Sequence, residues 1–321
     1  MRVGTICLLL AAFAAAPPLS AAADQESGFF ASADWINWKA RRSGMDFVIV
    51  DPNTDARVEG DQVNLNYDRD NGARVVLGYH LGPCWDASME YQTYRTKDQL
   101  TVTQPAGGSL WGTRLHPDSI IGDRFSTSVS ANATLDYDVL DFMISRRFAM
   151  DSCQRVNFSL YGDFRYAMID QTIDITYADS VNGRSVNIHN PIKLDGYGIR
   201  AGGQLDWNVR GGFSLFGKGA ISVLAARVDS TYTEHDRYSL AAYNLVNVSD
   251  TCYQAVPVIE TALGMAYQRG PWEVAFGYEM AIWGNTGSRI DFEDDVDEDK
   301  FSNSSNDLIL DGFFLRFCFN R

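Results

Sequence analysis

Beyond its first two dozen residues the chain has no apolar run approaching the ~18 residues a membrane helix needs, so a helical bundle in lipid is excluded. An excess of positive charge is missing too. With 27 Lys+Arg against 41 Asp+Glu, a formal net charge of −14, no basic face is available to replace phosphate counterions, and nucleic acid drops out as a partner. Cysteine is sparse: Cys7, Cys84, Cys153, Cys252 and Cys318 form neither a CxxC pair nor a zinc-ribbon spacing, so a redox centre or structural zinc is not expected, nor any cofactor. There is no low-complexity linker and no repeat beyond a hairpin period to mark a second domain.

What is present is apolar and aromatic. The 321 residues are 45% apolar and include 27 Gly, 15 Tyr, 18 Phe and 7 Trp, a composition suited to many aromatic strands joined by tight turns. The N-terminus reads as an export signal: Arg2, the apolar run Ile6 to Ala16, Pro17-Pro18, then Ser20-Ala21-Ala22-Ala23, with cleavage expected before Asp24. The apolar run is too short to span a bilayer, and no cysteine at the cleavage point could take a lipid. The expectation is a signal over 1–23 and a single mature domain over 24–321. Export permits disulfides, and Cys84 and Cys153, both near strand ends on one side of the molecule, are a conceivable pair; partly buried free thiols are the alternative.

The strongest signal is strict alternation. Trp85, Ala87, Met89 and Tyr91 oppose Asp86, Ser88, Glu90 and Gln92; Phe158, Leu160, Phe164 and Tyr166 oppose Ser159, Asp163 and Arg165. The pattern returns from Tyr197 to Val209 and from Trp272 to Ile282. Sandwich strands average five or six residues, whereas these match the ~9 to 11 tilted residues of a transmembrane strand with one lipid-facing and one lumen-facing side. The fold class predicted is an all-β antiparallel transmembrane barrel. Ten strands are expected near 28–40, 72–82, 84–96, 129–148, 154–170, 194–209, 212–228, 255–268, 271–284 and 307–319. Short periplasmic turns would alternate with long extracellular loops at 41–71, 97–128, 171–193, 229–254 and 285–306. Segments 45–50 and 61–67 read as an outward extension of the first hairpin, and twelve strands stays open.

Glu90, Asp163, Arg165, Arg200, Asp206, Lys218, Glu260, Glu279 and Arg316 fall on the polar faces and are the lumen-facing candidates. Opposed charges can line a water-filled path or pair and plug a narrow barrel, and ten strands lie nearer the closed end. Of four histidines only His235, in Glu234-His235-Asp236, has a setting in which a carboxylate could polarise it to activate water. No second acidic pair accompanies it, so no enzyme and no catalytic residue is expected. Asp291, Glu293, Asp294, Asp295, Asp297, Glu298 and Asp299 crowd one loop that could take calcium, although Val296 and Ser302 stand where an EF-type loop needs Gly and Glu; a solvated acidic loop is the simpler reading.

Three stretches carry a resemblance. Phe29-Phe30-Ala31-Ser32-Ala33-Asp34-Trp35-Ile36-Asn37-Trp38-Lys39-Ala40 with the following Arg41 to Phe47, then Leu135-Asp136-Tyr137-Asp138-Val139-Leu140-Asp141, and finally Asp311-Gly312-Phe313-Phe314-Leu315-Arg316-Phe317, together resemble the Legionella-type major outer-membrane protein family over nearly all of the mature chain. The resemblance implies a pore-forming outer-membrane barrel that passes small solutes or ions passively. The alternative is a closed structural or surface-display barrel working through its extracellular loops. The partners expected are outer-membrane lipid, the barrel-insertion machinery and the permeating solute, and a homo-oligomer is compatible with the sequence.

Overall fold

A computed structural model of the chain describes residues 27–55, 57–121, 126–150, 155–238, 241–292 and 301–320. Thirteen strands appear among them: β1 (Phe29–Arg42), β2 (Asp46–Asp51), β3 (Asp61–Asn64), β4 (Arg69–His80), β5 (Trp85–Thr103), β6 (Ser109–Gly112), β7 (Ser128–Ala149), β8 (Val156–Asp179), β9 (Arg184–Arg210), β10 (Phe213–Tyr238), β11 (Ala241–Arg269), β12 (Trp272–Phe292) and β13 (Phe301–Asn320). Ten of them form a closed antiparallel barrel in the order β1-β13-β12-β11-β10-β9-β8-β7-β5-β4. Closure runs from Phe30 opposite Asn320 to Arg42 opposite Leu308, so no ladder edge is left to face hydrocarbon. The periplasmic turns are tight. Gly211 and Gly212, with φ of 63° and 87°, make the two-residue link between β9 and β10, where a hairpin of the right twist needs positive φ at both positions.

The expected long loops are corrected. Residues 171–193 and 229–254 are mostly strand, because β8 to β11 run on well past the lipid-facing band. Their alternation continues there with its polarity reversed. On β8, Phe164, Tyr166 and Met168 point out and are exposed, whereas beyond them Ile169, Ile173, Ile175 and Tyr177 point in and are buried. Ile188, Ile192, Leu194, Leu224, Val228 and Val256 do the same on β9 to β11. Lipid rewards apolar side chains outside the wall and water rewards them inside, so one barrel carries two opposite patterns stacked along its axis.

The first hairpin is also corrected. Segments 45–50 and 61–67 are not an extension of β1 and β4; β2 and β3 join β6 in a separate sheet of order β3-β2-β6. The barrel therefore has ten strands, not twelve. The small sheet sits at the outer mouth, with Phe47, Val48 and Leu110 fully buried and the Phe47 carbonyl accepting the Tyr177 hydroxyl at 2.6 Å. Asp51 ties it together by accepting the Asn53 and Glu59 N–H groups and the Trp111 indole N–H at 2.8 to 3.1 Å. These hydrogen bonds, the Asn53 amide foremost, hold its carboxyl below the ordinary range. The expected signal (1–23), Cys153 and Glu293 to Asp299 lie outside the described residues; Cys84, Cys252 and Cys318 are free thiols.

Candidate functional site: the charged waist of the lumen

Alternation aims every second side chain of the lipid-crossing strands into the barrel, and there two ion-pair clusters meet. In the first, Asp34 on β1 accepts Arg316 of β13 through both oxygens at 2.8 Å and Arg74 of β4 at 2.9 Å. Arg74 continues to Glu279 at 2.8 Å and Glu90 at 3.5 Å. In the second, Arg165 on β8 holds Asp141 of β7 in a fork at 2.8 and 2.9 Å and reaches Glu260 of β11 at 3.0 Å. Arg200 on β9 binds Asp163 at 2.7 Å, Asp141 at 3.1 Å and the other Glu260 oxygen at 3.1 Å. Planar guanidinium forks suit such shared carboxylates better than a lysine would.

Between the clusters lies a cavity of about 30 Å³ lined by residues that include Arg74, Glu90, Arg200, Lys218, Glu260 and Glu279. That is room for a water or two and for nothing larger. Lys218 stands over the Tyr161 ring, 5.2 Å from its centroid. Toward the periplasmic end the lumen widens to a polar vestibule of about 500 Å³ whose lining includes Arg147, Ser159, Gln204, Asp206, Glu273 and Arg316. Toward the outside an aromatic layer seals it. Trp38 packs on Tyr94 and Tyr137 at 5.7 and 6.1 Å, and Tyr137 meets Trp283 edge-on at 5.6 Å. This layer is coupled to the charges beneath, since the Trp38 indole donates to Glu279 at 3.1 Å and Arg165 lies 5.7 Å from the Trp283 ring centroid.

Of the lumen candidates, Glu90, Glu279 and Arg316 enter the first cluster, Asp163, Arg165, Arg200 and Glu260 the second, Lys218 the cavity between them and Asp206 the vestibule. Sequence reasoning missed Asp34, Arg74 and Asp141, on which the clusters hinge. A signal existed: Asp34 and Asp141 each sit one place from an outward apolar residue, Trp35 and Phe142. His235 is the opposite case. Alternation turns it outward, where its Nδ1 meets the Asn244 side-chain oxygen at 2.5 Å, while Glu234 and Asp236 are buried on the inner face. Neither neighbour can polarise it.

No curated protein matches this chain. Solved structures similar to it are outer-membrane barrels: the outer membrane protease OmpT from Escherichia coli (11% identity, 93% of this chain and 98% of that one, TM-score 0.48) and the translocator domain of the autotransporter NalP from Neisseria meningitidis (12%, 92% and 89%, 0.38). A third is the monoaromatic hydrocarbon channel CymD (9%, 92% and 89%, 0.32). At these scores the likenesses add nothing to the strand pairing itself. The family match is of another order: the profile described as "Legionella pneumophila major outer membrane protein precursor" covers residues 22–320. The word precursor agrees with an export signal at the N-terminus. The chain, a closed ten-stranded barrel with an apolar outer wall, belongs to the Legionella major outer membrane protein family and is a protein of the outer membrane.

Proposed function

We propose that the protein is a porin-like barrel, closed at its waist in this structure, that passes water and small ions passively when the waist opens. The observation that carries this reading is the choice of side chains at mid-height. Ionisable groups at membrane depth are expensive, and replacing buried ion pairs by packed apolar residues is often neutral or stabilising. The same chain fills its outer half with Ile, Leu, Val and aromatic residues, so it had a cheaper way to seal itself. Instead it keeps six carboxylates (Asp34, Glu90, Asp141, Asp163, Glu260, Glu279) and five cations (Arg74, Arg165, Arg200, Lys218, Arg316) at mid-height, with Arg74, Glu90, Arg200, Lys218, Glu260 and Glu279 lining a water-sized cavity and Arg316 a polar vestibule. Near-balanced charges that can exchange partners suit a narrow ion path.

A second reading, a closed barrel whose outer half is the working part, is favoured by the aromatic layer above the waist. Planar-bilayer recording of the purified barrel separates the two. The first expects brief, small conductance steps and altered ion selectivity in Glu260→Gln. Absence of steps from the wild type across the voltage range would establish the second. We further propose that the barrel is not an enzyme, a view supported by the separation of His235 from its flanking carboxylates.

A further inference from the structure

The outer wall changes character just above the lipid-facing band. On β1 the outward residues run Ala33, Trp35, Asn37, Lys39 and Arg41; on β4 they run Leu77, Val75, Ala73, Asn71 and Arg69. Lys39 and Arg69 are register partners, directly opposite each other across the ladder. Like charges so placed destabilise a sheet pair. The β4–β5 register, continued beyond its last pair of Gly72 with Tyr94, brings the exposed Lys97 level with Arg69. Three cations thus stand in a row on three adjacent strands, spanning about 10 Å at ~4.8 Å per strand.

The carboxylates nearby do not cancel the row. Asp311, the partner of Lys39 on β13, is occupied by Arg41 and by the Tyr278 hydroxyl, and is itself buried. Asp307 and Asp68 stand above the row, and Asp307 accepts the Asn285 N–H at 3.1 Å. Asp98 and Asp70 belong to the inward-facing set and are engaged with Asn66 N–H and the Thr96 hydroxyl. The Arg69 guanidinium is held in place, donating to the Asn37 carbonyl at 3.0 Å and lying 5.8 Å from the Phe313 ring centroid. Two places below Lys97 on β5, Arg95 takes up Asp136 and Asp138 of β7, and across the ring Arg227 pairs with Asp229. A chain of net charge −14 has gathered on one arc of its wall, just above the apolar band, three cations that form no ion pair with a carboxylate among the described residues.

We propose that the arc of Lys39, Arg69 and Lys97 binds the phosphate groups of an anionic lipid headgroup in the outer leaflet, with the acyl chains lying on Trp35, Val75 and Leu77 and the Asn37–Asn71 pair meeting headgroup hydroxyls. The phosphates supply the charge that the Lys39–Arg69 opposition calls for, and the apolar wall below supplies the lipid's other half. The inference needs only the membrane placement of the wall and stands or falls independently of conductance.

The test is retention of diphosphorylated lipid A by the folded full barrel in neutral detergent, read by native mass spectrometry and titration. The triple variant Lys39→Gln, Arg69→Gln, Lys97→Gln is compared with wild type and with Arg227→Gln on the far wall. Each cation removed from the arc is expected to weaken retention about fivefold, while Arg227→Gln leaves it unchanged. Phosphatidylcholine and inorganic phosphate at the same concentration are expected not to be retained. If the triple variant fails the heat-shift test of folding, single Lys39→Gln and Lys97→Gln variants give the same readout. Equal retention by arc variants and wild type, equal loss in Arg227→Gln, or retention of inorganic phosphate alone would each overturn the proposal.

Discussion

Glu234 and Asp236 show how one change of environment alters a residue's meaning. From Arg227 onward the outer face of β10 is polar, so this part of the strand stands above the membrane and its inner face is core. There the two carboxylates clamp the segment after β6. Glu234 accepts the His116 N–H at 2.9 Å and the Tyr232 hydroxyl at 2.6 Å, and Asp236 accepts the Ile120 N–H at 2.7 Å. Burial pushes both carboxyls above their ordinary range, and the donors offset only part of that shift. Raised folded values mean that protonation favours the clamped state: the stabilisation is complete below the unfolded carboxylate range and is lost as pH rises through the folded values. Segment 113–121 should therefore be better protected in hydrogen exchange at pH 4 than at pH 8, after correction for intrinsic rates. Glu234→Gln with Asp236→Asn should flatten that dependence. On the lipid side, Leu160→Arg is expected to cost about 2–4 kcal/mol of barrel stability in detergent refolding, whereas Ser159→Arg, which lines the vestibule, should alter permeation more than folding.

At the scale of elements, β13 bears most on closure because it is the last strand and pairs with the first. Its register sets Arg316 opposite Asp34, so one strand supplies both the closing ladder and an ion pair between residues 282 positions apart. Deleting 307–321 should abolish heat-resistant barrel formation, since a row of unpaired backbone groups in hydrocarbon costs several kcal/mol each. Semi-native gel mobility reports the result, and a protease-resistant folded species would contradict the topology. Deleting only Asn320 and Arg321 should leave a folded barrel. It is not free of cost, however, because Asn320 pairs with Phe30 and its N–H donates to the Pro271 carbonyl at 2.8 Å. A slight loss of thermal stability is the expected outcome, from one frayed ladder end.

For the whole molecule, three layers follow one another along the axis: a polar vestibule, a charged waist and an apolar outer core closed by a small sheet. Trp283 joins the last two, fully buried against Tyr137 and over Arg165. Trp283→Ala should destabilise the barrel by about 3–5 kcal/mol and, under the transport reading, lengthen its open periods in bilayer recordings. A stability loss with no current would shift weight to the closed reading.

The order of elements was written in the chain itself. Alternation is a local property with a period of two, so strand positions, the outward apolar set and the tight turns could be read from neighbours alone, for instance from Trp85 to Gln92. The stretches 171–193 and 229–254 alternate just as regularly, through Ile173, Ile175 and Tyr177, but their meaning depends on what solvent lies outside the wall, and residues taken in isolation do not carry that. Likewise the chain displayed its charges without their partners. Asp34, Arg74 and Asp141 became the hinges of the waist, and Lys39 came to face Arg69, only through register between strands distant in sequence. That register is set by closing ten strands into one ring, a constraint that no segment possesses until all of them are paired.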